Sequence, residues 1–430
     1  MSKKILIICF SFPPNPGIGG RRWAKFAKLL NEPGHDVRVI GKKPTSSNLN
    51  SSNWESDTET YIDRIQYIPT TYPEILRTVP LTILAKLKYR LALLWVKGMT
   101  NANYFDHSNY WSDNLLSVVE NQIEDGVQIV IASGGPFRYL FDLCQLKTKY
   151  SNVKFYADFR DPWTTNQTAF GFETLSLRRQ KNEMNMERIV VNSFDGIISV
   201  AEQMNDHFRT LVHGGSSTRF MALPNGFDPD DFDSLGHDSS HDKLRFVFSG
   251  TIYRKSEYLL EAFIEAIELI ALENKMVGDQ LEVVVAGKAS PSAIRIMERS
   301  EKVEFLDVVT QEQSFSSIMS ATIAMLFLTD DLNYSFSTKF CEYLAMNKPI
   351  IVFSKRGYTG EYVERNSIGY YGGDQVMEMK EKILFVYQKW KTNSISFPPS
   401  SERAKFDVGN LTTRLLDFIE EGPLTIISTK

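Results

Sequence analysis

The chain is poor in residues that announce a chemistry. It has three cysteines, Cys9, Cys144 and Cys341, each inside an apolar stretch. They form neither an even disulfide set nor a metal-ligand spacing, which implies buried thiols in a reducing compartment. The six histidines show no ligand spacing either. Excess charge of one sign is lacking: 48 Lys and Arg against 52 Asp and Glu leave a net charge of -4. That excludes a general basic field for nucleic acid, so any anion site must be local. No uninterrupted apolar run reaches the ~18 residues of a spanning helix. Residues 1–12 place two lysines before an apolar run, but the run is short, and Pro13 and Pro14 follow where a cleavage site needs small residues. The expectation is a cytoplasmic protein.

What the chain does have is alternation. With 430 residues, 43% of them hydrophobic, it can build two cores, since single domains stop growing near ~250–300 residues. KILIICF, HDVRVIG, VQIVIAS, VKFYADF, FDGIISV and RFMALPN read as strands, mostly too apolar to have a solvent-facing side. RRWAKFAKLL, FRYLFDLCQLKTKY, LRRQKNEMNMERIVV and AEQMNDHFRTLV read as helices between them. Apolar strands alternating with helices predict a parallel sheet covered on both faces. After Asn225-Gly226 the polar stretch DPDDFDSLGHDSSHDK reads as a linker. The alternation then restarts with LRFVFSG, YLLEAFIEAIELIAL, LEVVVAG, KVEFLD, QEQSFSSIMS, ATIAMLFL, TKFCEYLAM, PIIVFS and IGYYGG. The predicted fold class is α/β, with two Rossmann-like doubly wound domains over residues 1–225 and 226–407. The closing segment ERAKFDVGNLTTRLLDFIEE reads as a helix with Asn410 as its cap. Its part from 408 to 422 is expected to pack back on the first domain.

One insertion breaks the rhythm. LTILAKLKYRLALLWVKG, residues 81–98, carries Lys86, Lys88, Arg90 and Lys97 among leucines. It reads either as a helix lying on an anionic membrane surface or as an ordinary surface helix packed on the first domain.

Ligands of open parallel sheets bind beyond the carboxyl ends of strands, so clusters that directly follow strands are the candidates. These are PPNPGIGGRR after the first strand, SGGPF at 133–137, DFRDPW at 158–163, SGTIYRK at 249–255 and SFSTKFCEYLAMNKP at 335–349. The first fits neither nucleotide fingerprint. The second strand ends in IGKK rather than in an acid for a ribose, and Arg21-Arg22 stands where a P-loop needs Lys-Ser/Thr. What remains is a close approach of backbone to ligand at Gly19 and Gly20. Arg21 and Arg22 either steer an anion or form a solvated first turn. In SGTIYRK, Gly250 ends a strand and Arg254 and Lys255 follow; they suit a departing diphosphate or are solvated loop charges. In the last cluster, Lys339 and Glu342 share a helical face after a Ser-Thr turn, Ser337-Thr338, whose amides can reach phosphate. The pair reads as a nucleotide clamp or as an i, i+3 surface ion pair.

In their order, PPNPGIGG followed by a helix and GHDVRVI, then RDPW, LPNGFDPDDF, SGTIYRK, LEVVVAG and STKFCEYLAMNKPII resemble GT-B glycosyltransferases, within them the family-four retaining enzymes (glycosyl transferases group 1) that use nucleotide-sugar donors. The resemblance covers nearly the whole chain. It implies two Rossmann-like domains facing a central cleft, with acceptor bound by the first and donor by the second. Gly19 and Gly20 would border the donor diphosphate, with Gly250, Ser337, Thr338 and Lys339 beside it. Arg254 and Lys255 would neutralise it as it leaves. Glu342 matches the second glutamate of the family's E-x(7)-E pattern, expected on the ribose. The first glutamate would fall at Tyr334 and is absent, with Asp330 and Asp331 as loose substitutes. Arg160 and Asp161 stand where many relatives have His-Asp facing the sugar.

The implied reaction moves a sugar from a nucleotide-diphosphate sugar to a hydroxyl, with retention and without a protein nucleophile, in cell-surface polysaccharide or glycolipid biosynthesis. The nucleotide sugar is then a substrate, and no cofactor is expected. The acceptor would be a glycan or lipid-linked, and the protein would work in the cytoplasm at the inner face of a membrane if residues 81–98 bind one. Asp228-Pro-Asp230 fits a metal-binding Asp-x-Asp by letter, but it lies in the linker and reads as a turn, so no metal is expected. Two other classes stay open: a nucleotide-sugar epimerase of the same fold, and a non-catalytic nucleotide-sugar-binding protein.

Overall fold

A computed structural model describes residues 2–15, 18–44, 56–165, 169–232 and 242–420. Residues 16–17 of the glycine-rich turn and 233–241 of the polar stretch lie outside them. The chain divides into two compact units, residues 1–223 with 412–430, and residues 224–411.

The first unit runs β1 (Lys4–Cys9), α1 (Ile18–Asn31), β2 (Asp36–Lys42), β3 (Ile65–Ile68), α2 (Ile83–Met99), α3 (Ser112–Glu124), β4 (Ile129–Gly134), α4 (Arg138–Lys149), β5 (Lys154–Phe159), α5 (Leu177–Ser193), β6 (Gly196–Ser199), α6 (Glu202–Leu211) and β7 (Arg219–Ala222). Its strands form one parallel sheet in the order β3-β2-β1-β4-β5-β6-β7. Ile5 of β1 pairs with Val37 of β2 on one side and Ile129 of β4 on the other. Ile5 to Ile8 and Val130 to Ala132 are wholly buried, as strands covered on both faces must be. Each large side chain there contributes roughly 1.5–3 kcal/mol by burial. β3 and α3 have no counterpart among the sequence readings. β3 is a four-residue edge strand with one buried side chain, so its apolar signal is short.

The second unit runs β8 (Leu244–Ser249), α7 (Glu257–Glu273), α8 (Lys275–Gly278), β9 (Leu281–Ala286), α9 (Pro291–Met297), β10 (Val303–Phe305), α10 (Gln311–Met319), β11 (Ile323–Phe327), α11 (Thr338–Ala345), β12 (Ile350–Phe353), α12 (Tyr358–Arg365), β13 (Gly369–Gly373), α13 (Val376–Lys391) and α14 (Ser400–Ala404). Its parallel sheet is ordered β10-β9-β8-β11-β12-β13. Phe263 of α7 packs edge-on to Phe327 of β11, 5.8 Å between centroids, and 5.0 Å from Phe353 of β12. These contacts seat the helix on the sheet.

The closing segment corrects the sequence reading. It is two helices, α14 and α15 (Val408–Glu420), and the cap of α15 is Asp407, not Asn410. Asp407 Oδ1 accepts from the amides of Gly409 at 2.8 Å and Asn410 at 3.1 Å. A carboxylate suits the positive end of a helix better than an amide does. Asn410 instead donates its side-chain NH2 to the Ala404 carbonyl at 2.9 Å. Farther along α15, the Ile419 carbonyl accepts from Tyr156 Oη of β5 at 3.2 Å, and Arg219 of β7 lies 4.5 Å from the Phe418 ring. These ties cover the edge strand β7, whose side chains are all half-buried.

In each sheet the order reverses once, between β1 and β4 and between β8 and β11. A crevice opens at such a point because the following connections leave to opposite faces. At the first of them α1 lies hard against the turn that precedes it. A Cβ on Gly20 would stand 2.0 Å from the Ser11 carbonyl oxygen. Gly20→Ala is expected to destabilise the protein by roughly 1–3 kcal/mol, because backbone rather than a mobile side chain must move; urea denaturation measures it.

Candidate functional site

In the second unit the carboxyl end of β8 meets the N-terminus of α11. Gly250 follows β8 with φ +132°, a conformation that glycine adopts without strain. A Cβ there would stand 1.8 Å from Lys339 Cε, so the lysine side chain lies directly over the glycine. Beneath it, Tyr343, fully buried on α11, accepts the Ser249 amide on its hydroxyl at 3.0 Å and locks helix to strand. Ser337 caps α11, its Oγ accepting from the Phe340 amide at 3.3 Å. The amides of Thr338 and Lys339 remain as first-turn donors without intrahelical partners.

Lys339 makes no ion pair among the described residues. Its ammonium lies 5.3 Å from the Phe248 ring and 6.0 Å from the Tyr253 ring. Burial pushes its pKa down, and the charge of Glu342 pulls it back up. A desolvated ammonium of this kind gains from an anion beside it. The i, i+3 ion pair that the spacing allowed is therefore not what the lysine forms.

Arg254 and Lys255 sit in a one-turn 3-10 segment, Arg254–Ser256, that leads into α7, and both are exposed. Lys255 pairs with Asp331 at 3.2 Å, and Lys355 pairs with Asp330 at 3.1 Å. Both carboxylates considered as substitutes for the missing glutamate are thus engaged by lysines. Next to Tyr334, Asn333 is buried. Its NH2 donates to the Lys355 carbonyl at 2.9 Å, while its Oδ1 has no partner among the described residues. Asp228 caps the short turn Pro229–Asp231 by accepting from the Asp230 amide at 3.1 Å.

In the first unit, Gly19 and Gly20 are buried and already lie in α1, not in the loop before it. A Cβ on Gly19 would stand 1.3 Å from Arg160 Nη1; the room left by this glycine holds the arginine. Arg160 Nη2 donates to the Gly135 carbonyl at 3.1 Å, and its buried Nε has no partner among the described residues. Asp161, half-buried beside it, has no ion pair among the described residues. Arg21 and Arg22 are not a solvated turn. Arg22 lies 3.7 Å from the wholly buried Asp158 and donates to the Leu223 carbonyl at 2.7 Å. Arg21 and Lys25 both reach the buried Asp57, at 3.4 and 2.6 Å. Asp158 also accepts from Trp23 Nε1 at 2.7 Å and Ser133 Oγ at 2.8 Å, tying α1, β4 and β5 together.

Three buried carboxylates that the sequence reading missed hold the loops in place. Asp106 accepts from the amides of Phe137 at 2.8 Å and Arg138 at 3.0 Å, so the SGGPF turn already has its anion. Glu183 accepts from Trp163 Nε1 and from the Asn103 amide, both at 2.7 Å. Glu187, one turn on, accepts from the Thr164 hydroxyl and lies 3.2 Å from His207 Nε2. Glu183 and Glu187 are four apart on α5 and together pin the Asp-Pro-Trp-Thr loop that follows Arg160. Their spacing was legible; their burial was not. Burial pushes Glu183 up to about 7, while Trp163 pulls it down and the charge of Asp106 adds to the rise.

Two parallel doubly wound sheets, each reversing its strand order once, define the fold class as GT-B. Residues 243–389 match the family model described as Glycosyl transferases group 1. No curated protein matches the chain by sequence. Among solved structures, the N-terminal domain of trehalose-6-phosphate phosphatase from Candida albicans aligns with a TM-score of 0.62 at 12% identity, over 97% of both chains. A glycosyltransferase from Rickettsia africae aligns with a TM-score of 0.58 at 13% identity, again over 97% of both. Sucrose-phosphate synthase from Thermosynechococcus elongatus gives 0.58 at 14%, over 97% of this chain and 98% of that one. The matched domain and the shared fold support a sugar transferase.

The Glu183 site generates a pH dependence. Its raised folded-state pKa favours the protonated form, so its stabilisation is complete below the ordinary glutamate value near ~4.5 and is lost as pH rises through about 7. Between pH 5 and 8 the unfolding free energy should fall by up to about 3 kcal/mol on this account. Glu183→Gln should flatten that slope while lowering stability at pH 5, because the two N–H donors approach different carboxylate oxygens, one of which becomes an NH2 donor. Urea titrations of both proteins across this pH range measure it.

Proposed function

We propose that the protein transfers a glycosyl unit from a nucleotide-diphosphate sugar to a hydroxyl of a glycan or lipid-linked acceptor, with retention, in cell-surface polysaccharide or glycolipid synthesis at the inner face of a membrane. The observation that carries this reading is Lys339, a desolvated ammonium over Gly250 beside the free first-turn amides of α11. Lys339, Gly250, Ser337 and Thr338 bind the donor diphosphate, and Glu342, one turn along α11, takes the ribose hydroxyls. The bond between anomeric carbon and diphosphate breaks while the acceptor oxygen bonds to that carbon. Arg254 and Lys255 stabilise the charge that the departing diphosphate gains. With three cations on the diphosphate, the reading needs no metal and no cofactor. In the first unit, Arg160, Asp161, Gly19 and Gly20 are the proposed contacts on the acceptor side.

Purified protein incubated with a complete panel of nucleotide sugars, with and without hydroxyl acceptors, tests this. Nucleoside diphosphate released only when an acceptor is present is the expected result. Sugar epimerised without acceptor would make the protein an epimerase, and binding without turnover across the panel would make it a binding protein. Glu342→Ala should weaken nucleotide binding roughly tenfold or more by removing charge-assisted hydrogen bonds; unchanged affinity in calorimetry would remove Glu342 from the ribose. Lys255→Ala should lower kcat about a hundredfold and leave KM nearly unchanged.

A further inference from the structure

α2 turns its apolar side to solvent. Leu84, Leu87, Leu91 and Leu94, spaced three and four apart, are 53–67% exposed, and Val79, Leu81 and Ile83 just before them are 82–88% exposed. The opposite face is the one packed on the first unit. Val96 is buried and Leu93 partly so, in a cluster with Tyr72, Tyr104 and Leu175. Arg179 donates to the carbonyls of Lys97 and Ala102, both at 2.7 Å, anchoring the end of the helix. The leucines are therefore not displaced core residues; the helix has a core face and a second apolar face directly opposite.

Cations border that second face. At 100° per residue Lys86 and Arg90 fall on one side of the leucine stripe and Lys88 on the other. All three are exposed and make no ion pair among the described residues, and α2 contains no carboxylate. Among the described residues, no helix is long and apolar enough to cross a membrane, so this one could only lie along a surface. A stripe of leucines between unpaired cations matches the two layers of an anionic bilayer, acyl chains below and phosphates beside. It is a poor match for a second copy of itself, whose own cations would be brought against it.

We propose that the outward face of α2 seats the protein on an anionic lipid surface, with Leu84, Leu87, Leu91 and Leu94 entering the boundary of headgroups and acyl chains and Lys86, Lys88 and Arg90 meeting lipid phosphates. This rests on the membrane-face part of the reading above and names the surface involved; it does not depend on the transfer chemistry. Trp95, half exposed at the margin of the stripe and stacked on Tyr110, would enter the interface with it.

The full-length protein is sedimented with vesicles of phosphatidylcholine alone and of phosphatidylcholine with phosphatidylglycerol. Binding to the anionic vesicles at least tenfold tighter than to the neutral ones, weakened by salt, is expected. It should carry a blue shift of tryptophan emission that Trp95→Phe removes. Leu87→Ser and Leu91→Ser should each weaken binding roughly tenfold, and Lys86→Glu with Arg90→Glu should abolish the preference for anionic lipid. All four positions are exposed, so the variants should retain circular dichroism and nucleotide affinity. Failure of the parent protein to sediment with anionic vesicles would overturn the proposal. So would binding that survives both leucine substitutions, or a dimer in solution that those substitutions dissociate. Nucleoside diphosphate release with a soluble acceptor is followed in parallel, so that loss of docking and loss of transfer are read separately.

Discussion

A parallel strand covered by helices on both faces has no side on which to place a charged side chain. The apolar runs of β1 after Lys4, of β4, of β8 after Arg245 and of β11 obey that constraint, and it forces the chemistry to the strand ends. Where the strand order reverses, two such ends open onto a gap that no crossover fills. Gly19 and Arg160 collect at one gap, and Gly250 and Lys339 at the other.

The two gaps share a device. In each, a glycine soon after the first strand of the unit leaves room that a cation fills: Arg160 over Gly19 and Lys339 over Gly250. Absence of a side chain is here a means of seating a charge close to backbone, where it is partly stripped of water and its field acts at short range. The cost of burying such groups is offset differently in the two cases. Arg160 has the Gly135 carbonyl, whereas Lys339 has aromatic faces and the charge of Glu342.

The loops at the first gap are held by anions from within. Asp106, Asp158, Glu183 and Glu187 are nearly or wholly buried, and each accepts hydrogen bonds from at least two groups. Buried carboxylates of this kind fix geometry more than they add stability. Here the geometry they fix is that of the segment bearing Arg160 and Asp161.

Much of this was legible in the chain itself. Among the described residues, twelve of the thirteen strands and the helices α1, α4 to α7, α10 and α11 follow from apolar runs of strand length alternating with helical periods, because burial on both faces leaves strands few polar positions, whereas β3, α3, α8, α9, α12 and α13 went unread. The candidate clusters were visible as glycines and charges placed directly after those runs. What only the folded structure decided is which charges are spent. Arg22 and Lys339 look alike in sequence, each a cation in the first turns of a helix that follows a strand-end loop, yet Arg22 is consumed by Asp158, far along the chain, while Lys339 has no ion pair among the described residues. The cap of α15 passed from Asn410 to Asp407 in the same way. Pairing is a matter of distance in space, and hydrophobic periodicity, which specifies local structure, carries no information about which distant carboxylate will arrive.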